Sequence, residues 1–509
     1  MQDFLHRHQA NVIGVLSGFD RLLFRGTLRS ISYADGLDQF LGAMGVKYRD
    51  FGSFAESLSE RIKDHAEQMA QEAGRPFLYL YSSSQSKEQT ASQIAERDGI
   101  TDGLICVLRC VEPCMSFSIR RNDKGQFRFL SHERKCLHLY FYYMDREFGL
   151  MHVRLATWLP FGIQVCLNGR EYLARRMIQA GIGFEQRDNC FVRIDNLPRA
   201  QRMMHDLEKR KWQRLLNTLA RRVNPLPGKL NLFGYYWSLR ESEYATDVMF
   251  KDDQSLAQAY PALVDHAIKR FSCHDVLRFL ARRINARFNS EVSTSYLQRA
   301  EGLRIKHRAD GNSIKMYDKQ GRVLRIETTI NNVRCFKVRR MCVRKGVRCM
   351  RWIPMRFGLA DLVRRVDVSR AANERYLQAL AVVDMPSPAH QLLDPVSRRV
   401  EKDQRPYRAL HPVSPEETAL FQAVLFAGFL IRGFTNRTLQ ERLEPDLPDD
   451  EHRRRKASGR MTRKLRLLRA HGLIRKISNT HYYRVTDKGH QLMTAALKIR
   501  EADVAKLAA

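Results

Sequence analysis

The sequence predicts a multidomain α+β protein, with mainly antiparallel sheets, helices packed on them and a separate domain at the C-terminal end. The chain has 509 residues, more than one hydrophobic core usually accommodates. Strand-like and helix-like segments occur in blocks, not in the regular alternation that produces parallel sheets. Six of the sixteen prolines lie within 385–415, and this density of proline indicates a stiff linker before the last domain.

The first region, 1–224, reads as an α+β region with an antiparallel sheet. In 11–31, two apolar-rich runs flank the turn sequence SGFD, which predicts a hairpin with Asp20 in its turn. Between 103 and 167, short apolar runs of alternating polarity follow one another with few interruptions. Such alternation is typical of neighbouring antiparallel strands that are half-buried.

The second region, 225–384, begins at a cluster formed by Pro225, Pro227 and Gly228, which marks a boundary. Two helical patterns follow, and then alternating strands occupy 303–330. Strands, helices and strands again, in that order, indicate a second α+β region that carries a basic hairpin.

The hairpin sequence NSIKMYDKQGRVLRIETTINN, at 312–332, separates polar from apolar side chains. Side chains alternate between the two faces of a strand, and DKQG supplies a turn with glycine where positive φ is favourable. The apolar side chains therefore share one face, and four polar side chains are expected to converge on the other: Lys315, Tyr317, Arg325 and Glu327. The preceding strand, LRIKHR, places three cations on one face in the same way: Arg304, Lys306 and Arg308.

These residue types suit a phosphodiester site. A tyrosine hydroxyl such as that of Tyr317 can attack phosphorus and form a covalent link to DNA. Lys315 and Arg325 can neutralise the charge that develops on the phosphate. Glu327 is the candidate metal ligand, with Mg²⁺ or Mn²⁺ as the expected ion. The alternative is a half-exposed hairpin that the cross-strand pairs Lys315–Glu327 and Tyr317–Arg325 stabilise.

The pattern K-x-Y-[D/N]-K, a turn and then L-R-x-E resembles a segment of the rolling-circle replication initiators of plasmids and filamentous phages. Here it is carried by Lys315, Tyr317, Asp318, Lys319, Leu324, Arg325 and Glu327. The resemblance implies DNA nicking with Tyr317 as the nucleophile. Many such initiators bind their metal with a His-hydrophobic-His triplet, and this chain has none; MHVRL offers only His152.

A second candidate site consists of carboxylates contributed by separate strands, as in RNase H-like nucleases and transposases that use two metal ions. Asp20, Asp247 and Glu327 form the possible set, and Glu241 and Glu243 lie close to Asp247 in RESEYATDVMF. The alternative is that Asp20 is a simple turn residue, and that Glu243 and Asp247 are solvated acids on a helix or a loop.

The last region, 416–509, has a more regular pattern. Two helical patterns precede a basic segment, 451–476. This segment contains eleven Arg and Lys residues and a single carboxylate, that of Glu451. Met461, Leu465 and Leu468 recur at helical spacing, so one face of this segment is predicted to be core. A short hairpin with a small polar tip and a closing helix follow.

The order of these elements is helix, helix, basic helix, hairpin and helix. It resembles that of the winged-helix domains of bacterial transcription regulators. LRAHGLIRK…YYRVTDKGHQL is particularly similar to the recognition helix, wing and following helix of MarR-type proteins. The resemblance implies a basic helix in the major groove of DNA. The candidate contact residues are Arg460, Arg463, Lys464, Arg466 and Arg475. The alternative is a winged helix that contacts protein.

The formal net charge of +32 indicates a polyanionic partner, because counterion release from nucleic acid favours Lys and Arg directly. DNA is the expected partner and RNA the alternative. The N-terminus lacks a signal-peptide layout, and no apolar run has the length of a membrane helix. We therefore expect a cytoplasmic, nucleoid-associated protein with reduced cysteines and no membrane partner. The chain as a whole looks like a group of bacterial proteins, a likeness that implies no activity.

Together these features predict a nucleic-acid-binding protein of mobile-element or replication character, either a metal-dependent DNA nickase or a transposase-like strand-transfer enzyme. The first alternative is a non-enzymatic winged-helix regulator that binds DNA. The second is a protein that binds structured RNA, since a basic sheet with aromatic residues also suits single strands.

Overall fold

The computed structural model describes residues 1–82, 85–121, 123, 125–282, 291–299, 302–344, 346–383, 389–445, 450–478 and 480–502. Helices and strands are both abundant, which confirms the α+β class. The chain divides into two compact units. The first comprises Met1–Lys269, Phe279–Ala281 and Val292–Leu380, and the second Arg270–Arg278, Arg282–Glu291 and Ala381–Ala509.

The first unit is built around one sheet of eleven strands. The strands in this part of the chain are β1 (Val12–Thr27), β2 (Phe77–Tyr79), β3 (Gly103–Arg121), β4 (Phe127–Asp145), β5 (Gly149–Ala156), β6 (Ile163–Asn168), β7 (Phe184–Arg187), β8 (Cys190–Ile194), β9 (Tyr236–Phe250), β10 (Val292–Arg299), β11 (Gly302–Ala309), β12 (Asn312–Lys319), β13 (Val323–Thr329), β14 (Lys337–Arg344) and β15 (Val347–Pro354). The order across the large sheet is β10-β11-β12-β13-β9-β1-β6-β5-β4-β3-β2, while β7–β8 and β14–β15 form separate hairpins. Neighbouring strands are antiparallel except β2 and β3.

Helices cover both faces of the sheet. They are α1 (Gln2–Arg7), α2 (Ala34–Ala43), α3 (Phe51–Glu72), α4 (Lys87–Arg97), α5 (Gly169–Gln179), α6 (Leu197–Glu208), α7 (Trp212–Val223), α8 (Leu226–Lys229), α9 (Asp253–Lys269) and α11 (Leu362–Leu380). The intervening helix α10 (Cys273–Phe279) falls almost entirely within the second unit. Over the centre of the sheet, Thr328 of β13 donates to Asn373 of α11 at 2.6 Å, and Asn373 donates to the carbonyl of Tyr244 in β9 at 3.0 Å. Helix α11 therefore occupies one face, and the side chains of the opposite face are free to form a site.

The predicted hairpin at 11–31 is instead one continuous strand, β1, of 16 residues. It pairs along its length with β9 and, from Arg21 to Gly26, with β6. Of the four residues expected to form a turn, Ser17, Gly18 and Phe19 pair regularly with β9, and Asp20 lies at a register shift between Phe19 and Arg21. Such a β-bulge accommodates the extra residue and re-aims its side chain, so Asp20 is a strand residue, not a turn residue.

Strand β9 joins the two predicted regions. It lies between β1, from 1–224, and β13, from 225–384, so both regions contribute to one sheet. Glu243 and Asp247 belong to this strand and not to a helix or loop. Because side chains alternate along a strand, these two acids share the face opposite α11.

The second unit contains α12 (Ala389–Leu393), β16 (Val400–Lys402), β17 (Arg405–Tyr407), α13 (Pro415–Val424), α14 (Ala427–Arg432), α15 (Asn436–Leu443), α16 (Glu451–Ala470), β18 (Ile474–Lys476), β19 (Tyr483–Val485) and α17 (Asp487–Glu501). The start of the predicted linker, 385–388, lies outside the described residues. The rest of it carries α12 and the β16–β17 hairpin. Val396 and Leu410 within it are fully buried in the apolar core of this unit, because apolar residues between the prolines pack against the following helices.

Among the described residues, no helix combines the length and the apolar character needed to cross a bilayer.

Candidate active site

Three carboxylates from three neighbouring strands meet on the face of the sheet opposite α11. Asp20 of β1, Glu243 of β9 and Glu327 of β13 each offer an oxygen, and these oxygens lie within 4.8 Å of one another. The pairing of β9 with its two neighbours brings these acids together. Glu243 pairs with Arg21 of β1 on one side and with Thr329 of β13 on the other. Asp20 and Glu327 are buried, and Glu243 retains partial exposure. The third carboxylate of the cluster is therefore Glu243, and not Asp247 as expected.

The hairpin β12–β13 adds a cation and a phenol to this cluster. Its register pairs Lys315 with Glu327 and Tyr317 with Arg325, so the four polar side chains share one face, as the sequence alternation predicts. The Lys315 ammonium lies 3.1 Å from Glu243 Oε1 and also bonds to Glu327 Oε1. The Tyr317 hydroxyl donates to the other oxygen of Glu327. The hairpin is thus largely buried instead of half-exposed.

A buried arginine forms the floor of the site. Arg325, fully buried, donates to both oxygens of Asp247, at 2.6 and 2.8 Å, and to Asp20 Oδ2 at 2.9 Å. A fourth N–H, on Nη2, donates to the carbonyl of Asn189 at 2.7 Å. Arg170 of α5 lies 3.0 Å from the same Asp247 carboxylate. Asp247 is therefore enclosed by two guanidinium groups, which explains why it does not join the carboxylate cluster.

Burial and neighbouring charge fix the protonation states. Burial lowers the pKa of Lys315, but Glu327 and Glu243 outweigh it and raise that pKa above its ordinary value. Burial raises the pKa of Asp247, but Arg170 and Arg325 outweigh it and lower that pKa. Burial, reinforced by Glu327, raises the pKa of Tyr317 well above the ordinary value. At neutral pH the site therefore holds a charged lysine, a charged Asp247 and a neutral phenol.

The cations of β11 extend the site outward. Arg304 pairs across the sheet with Tyr317, and Lys306 with Lys315. Burial and then the neighbouring cations, Lys315 first, lower the pKa of Lys306. Arg308, the next residue on this face, is exposed. These three residues form a positive rim beside the acidic cluster.

The cluster lines a pocket of about 140 Å³. Its walls also include Asp318, Lys319 and Asn189. Burial, with a contribution from Asp253, raises the pKa of Asp318 to about 6, although the amide of Gly321 opposes this shift. The pocket is thus small, polar and lined by side chains of both charges.

The three carboxylates retain the capacity to bind a cation. Asp20 accepts from Asn189 at 2.6 Å through one oxygen and from Arg325 through the other. A carboxylate offers about four lone-pair positions, so each group has acceptor sites beyond its hydrogen bonds. Oxygen ligands clustered in this way suit a hard divalent cation. Lys315 lies where it would meet such a cation, between Glu243 and Glu327.

The cations predicted to contact nucleic acid in the second unit lie on α16 and β18. Arg463 and Arg466 are exposed, Lys464 is half-exposed, and the apolar stripe that includes Met461 and Leu465 is buried. Two further candidates, Arg460 and Arg475, lie beside charged residues of the same unit. Arg460 bonds to both oxygens of Glu444, at 3.0 and 3.1 Å, and Arg475 pairs across the hairpin with Arg484.

Sequence reasoning missed three parts of the site: Glu243 as a cluster member, Arg170 and Asn189. For Glu243 a signal existed, because SEYATDVMF places Glu243 and Asp247 on the same face of any strand it forms. Arg170 and Asn189 come from α5 and the β7–β8 turn, and no local pattern links them to Asp247 and Asp20 on strands so distant in the chain.

No family model matches this chain, and neither a curated protein nor a solved structure matches it.

Proposed function

We propose that this protein is a metal-dependent enzyme that cleaves or transfers DNA strands, of mobile-element or replication character. The observation that carries the proposal is the convergence of Asp20, Glu243 and Glu327 within 4.8 Å, in a polar pocket beside a positive rim. Carboxylates from separate strands that share a metal are the usual construction of enzymes that displace at phosphorus.

The three carboxylates would hold Mg²⁺ or Mn²⁺, which polarises a phosphate oxygen and stabilises the attacking and leaving oxygens when bound. Lys315 and Arg304 are placed to neutralise the charge that develops on the phosphate. Arg308, which is exposed on the next strand position of β11, would contact the phosphate backbone beside the cluster. Arg325 and Asn189 position Asp20 by donating hydrogen bonds to its two carboxylate oxygens.

The geometry favours the carboxylate mechanism over a tyrosine nucleophile. The Tyr317 hydroxyl donates to Glu327, and its raised pKa keeps it neutral. We therefore assign Tyr317 the role of positioning Glu327, and water or a strand hydroxyl the role of nucleophile. The attacking oxygen would form the new bond to phosphorus and release its proton to solvent. The P–O bond to the displaced strand oxygen breaks, and that oxygen leaves with the electron pair and takes up a proton from water.

The second unit supports DNA as the substrate. Helices α15 and α16, the β18–β19 hairpin and α17 follow one another in the order of a winged helix. Phe434 pairs with Tyr483 and so adds a third short segment beside the hairpin. On α16 the exposed Arg463 and Arg466 would face the major groove. Binding through these cations should weaken steeply as salt rises.

The test combines cleavage and metal binding. Purified protein is incubated with supercoiled and single-stranded DNA and Mg²⁺ or Mn²⁺, and Mn²⁺ binding is measured by calorimetry. We expect Glu327→Gln to abolish both cleavage and Mn²⁺ binding, while Asp64→Asn, at an exposed acid of α3, changes neither. Tyr317→Phe should retain reduced cleavage without a covalent protein–DNA adduct. Undiminished cleavage in Glu327→Gln would refute the proposal, and an adduct lost in Tyr317→Phe would restore the tyrosine mechanism.

A second candidate function is DNA binding without catalysis, as in a regulator. The contact that favours it is the Lys315 ammonium, which already neutralises Glu243 and Glu327. In that case the protein binds duplex DNA in a salt-sensitive manner, binds no Mn²⁺ and leaves the DNA intact. Copurification with RNA and preference for RNA over DNA would point to the third alternative.

A further inference from the structure

The hairpin β14–β15 stands apart from the eleven-stranded sheet. Its two strands, Lys337–Arg344 and Val347–Pro354, pair with each other in an unbroken register and with no third strand among the described residues. The segment was not singled out by any sequence motif, although its alternation is clear. We call 337–354 the ribbon.

The ribbon carries one sign of charge. Its sequence, KVRRMCVRKGVRCMRWIP, contains seven Arg and Lys residues and no carboxylate. Lys337, Arg339, Arg348 and Arg351 are exposed. A run of cations on a two-stranded ribbon favours a polyanion over a protein surface of mixed charge.

One face of the ribbon is open and is not simply charged. Three cross-strand pairs form this open face: Arg339–Trp352, Met341–Met350 and Val343–Arg348. The exposed fractions are 58% for Trp352, 55% for Met341 and 68% for Val343. Large apolar side chains that stay exposed in a contiguous patch generally mark an interaction site. Here an apolar strip lies between two arginines.

The base of the ribbon is fixed. Phe336 and Met355, which flank it, are buried and joined by a backbone hydrogen bond of 2.9 Å. Arg340 forms an ion pair with Asp361, and Arg364 donates to the Lys337 carbonyl at 3.0 Å. The open face is therefore presented by an anchored element, which lowers the entropy lost on binding.

We propose that the ribbon is a DNA-binding element that places its open face in the major groove of a duplex. Two strands about 4.8 Å apart fit a groove about 12 Å wide, and eight residues span roughly 26 Å along it. Arginines reach guanine edges or phosphates, and Met341 and Met350 contact thymine methyl groups. The deep, narrow major groove of duplex RNA does not admit such a ribbon.

This inference concerns binding and does not depend on the proposed catalysis. Full-length protein is irradiated, in EDTA, with a duplex that carries 5-bromodeoxyuridine, whose bromine replaces the thymine methyl in the major groove. We expect cross-links in peptides from 337–354. Cross-links confined to other segments would overturn the proposal, and so would equal cross-linking of 337–354 to a duplex RNA that carries 5-bromouridine.

Binding by the second unit must not mask the ribbon, so affinities are compared in full-length protein that carries Arg463→Ala and Arg466→Ala. In that background, Arg339→Ala with Arg348→Ala should weaken duplex binding about tenfold or more and reduce the salt slope by about two. The matched control is Lys47→Ala with Arg61→Ala, two exposed cations elsewhere. Equal affinities and slopes in the two variants would refute a role for the ribbon. Because no metal is present, this result is separate from any failure of the cleavage assay.

Discussion

Arg325 and Asp247 form a buried two-point ion pair, with hydrogen bonds of 2.6 and 2.8 Å, directly beneath the carboxylate cluster. Their strands pair in register, so the two side chains oppose each other across β13 and β9. The same guanidinium reaches Asp20, a member of the cluster. One residue thus joins the structural interior of the sheet to the candidate site.

Removing this guanidinium should destabilise the protein strongly. Arg325→Ala leaves Asp247 and Asp20 buried without their main partner, and breaking a buried pair in this way costs about 3–5 kcal/mol. The measurement is the free energy of unfolding in denaturant. Arg193→Ala, which breaks an exposed pair with Asp195, is the control and should cost about 1 kcal/mol or less. Equal losses in the two variants would contradict this assignment.

Glu243 and Asp247 lie four residues apart on β9 but should respond differently to neutralisation. Glu243→Gln should abolish Mn²⁺ binding and reduce cleavage by roughly a hundredfold or more, with little change in stability, because Glu243 is partly exposed. Asp247→Asn should instead lower the melting temperature, because it leaves two buried guanidinium groups underpaired. Calorimetry with Mn²⁺ and thermal unfolding separate the two effects. Loss of Mn²⁺ binding in Asp247→Asn, with unchanged binding in Glu243→Gln, would make Asp247 the metal ligand instead of Glu243.

Lys315 should compete with a metal ion for the carboxylates. Its ammonium lies between Glu243 and Glu327, so Lys315→Met should raise Mn²⁺ affinity about tenfold or more. The pKa of Lys315 is raised, so the competition persists at pH 7 to 9 and wild-type affinity should not climb through this range by lysine deprotonation. Lys306→Met, on the rim, is the control. A fall in Mn²⁺ affinity in Lys315→Met would mean that the lysine supports the site instead.

Asp318 should make stability depend on pH. Its pKa is raised from 3.8 to about 6, so the folded state binds this proton more tightly than the unfolded state. Stability is therefore lost as pH rises from 3.8 through 6, and the loss is complete above that window. Asp318→Asn keeps an oxygen acceptor for the Gly321 amide and should be more stable than wild type by about 1 kcal/mol at pH 8, after allowance for solvent screening.

At pH 4 the two proteins should be nearly equally stable. Thermal unfolding at both pH values provides the measurement. A constant difference between the two proteins across this range would show that the carboxyl of Asp318 does not titrate as stated.

The hairpin 312–332 is predictable because strand alternation is local. Alternation alone puts four side chains on one face of this hairpin, independently of the strands that pair with it. The structure places these side chains together: Lys315, Tyr317, Arg325 and Glu327. The partners of that hairpin were not predictable, because pairing with β9 depends on the whole sheet. The sequence predicts a turn at Asp20, since SGFD suits a turn as well as it suits a bulge.

The exposure of the ribbon could not be predicted from the sequence. KVRRMCVRKGVRCMRWIP alternates clearly enough to predict a hairpin, but nothing in the sequence indicates that one of its faces stays open. Exposure depends on tertiary packing, and only the structure distinguishes an open apolar strip from a buried one. Similarly, Val396 and Leu410 read as linker residues until their burial is known.

The central position of β9 has a consequence for synthesis of the protein on the ribosome. Asp20 and Arg325 are 305 residues apart in the chain, and the strands that carry them are neighbours of β9 on its two sides. A nascent chain that ends before β13 presents β9 with one edge unpaired and lacks Glu327 altogether. Contacts of such long sequence separation form slowly, and an unpaired edge favours aggregation. The protein should therefore depend on chaperones during translation, and activity should appear only after β13 has left the ribosome.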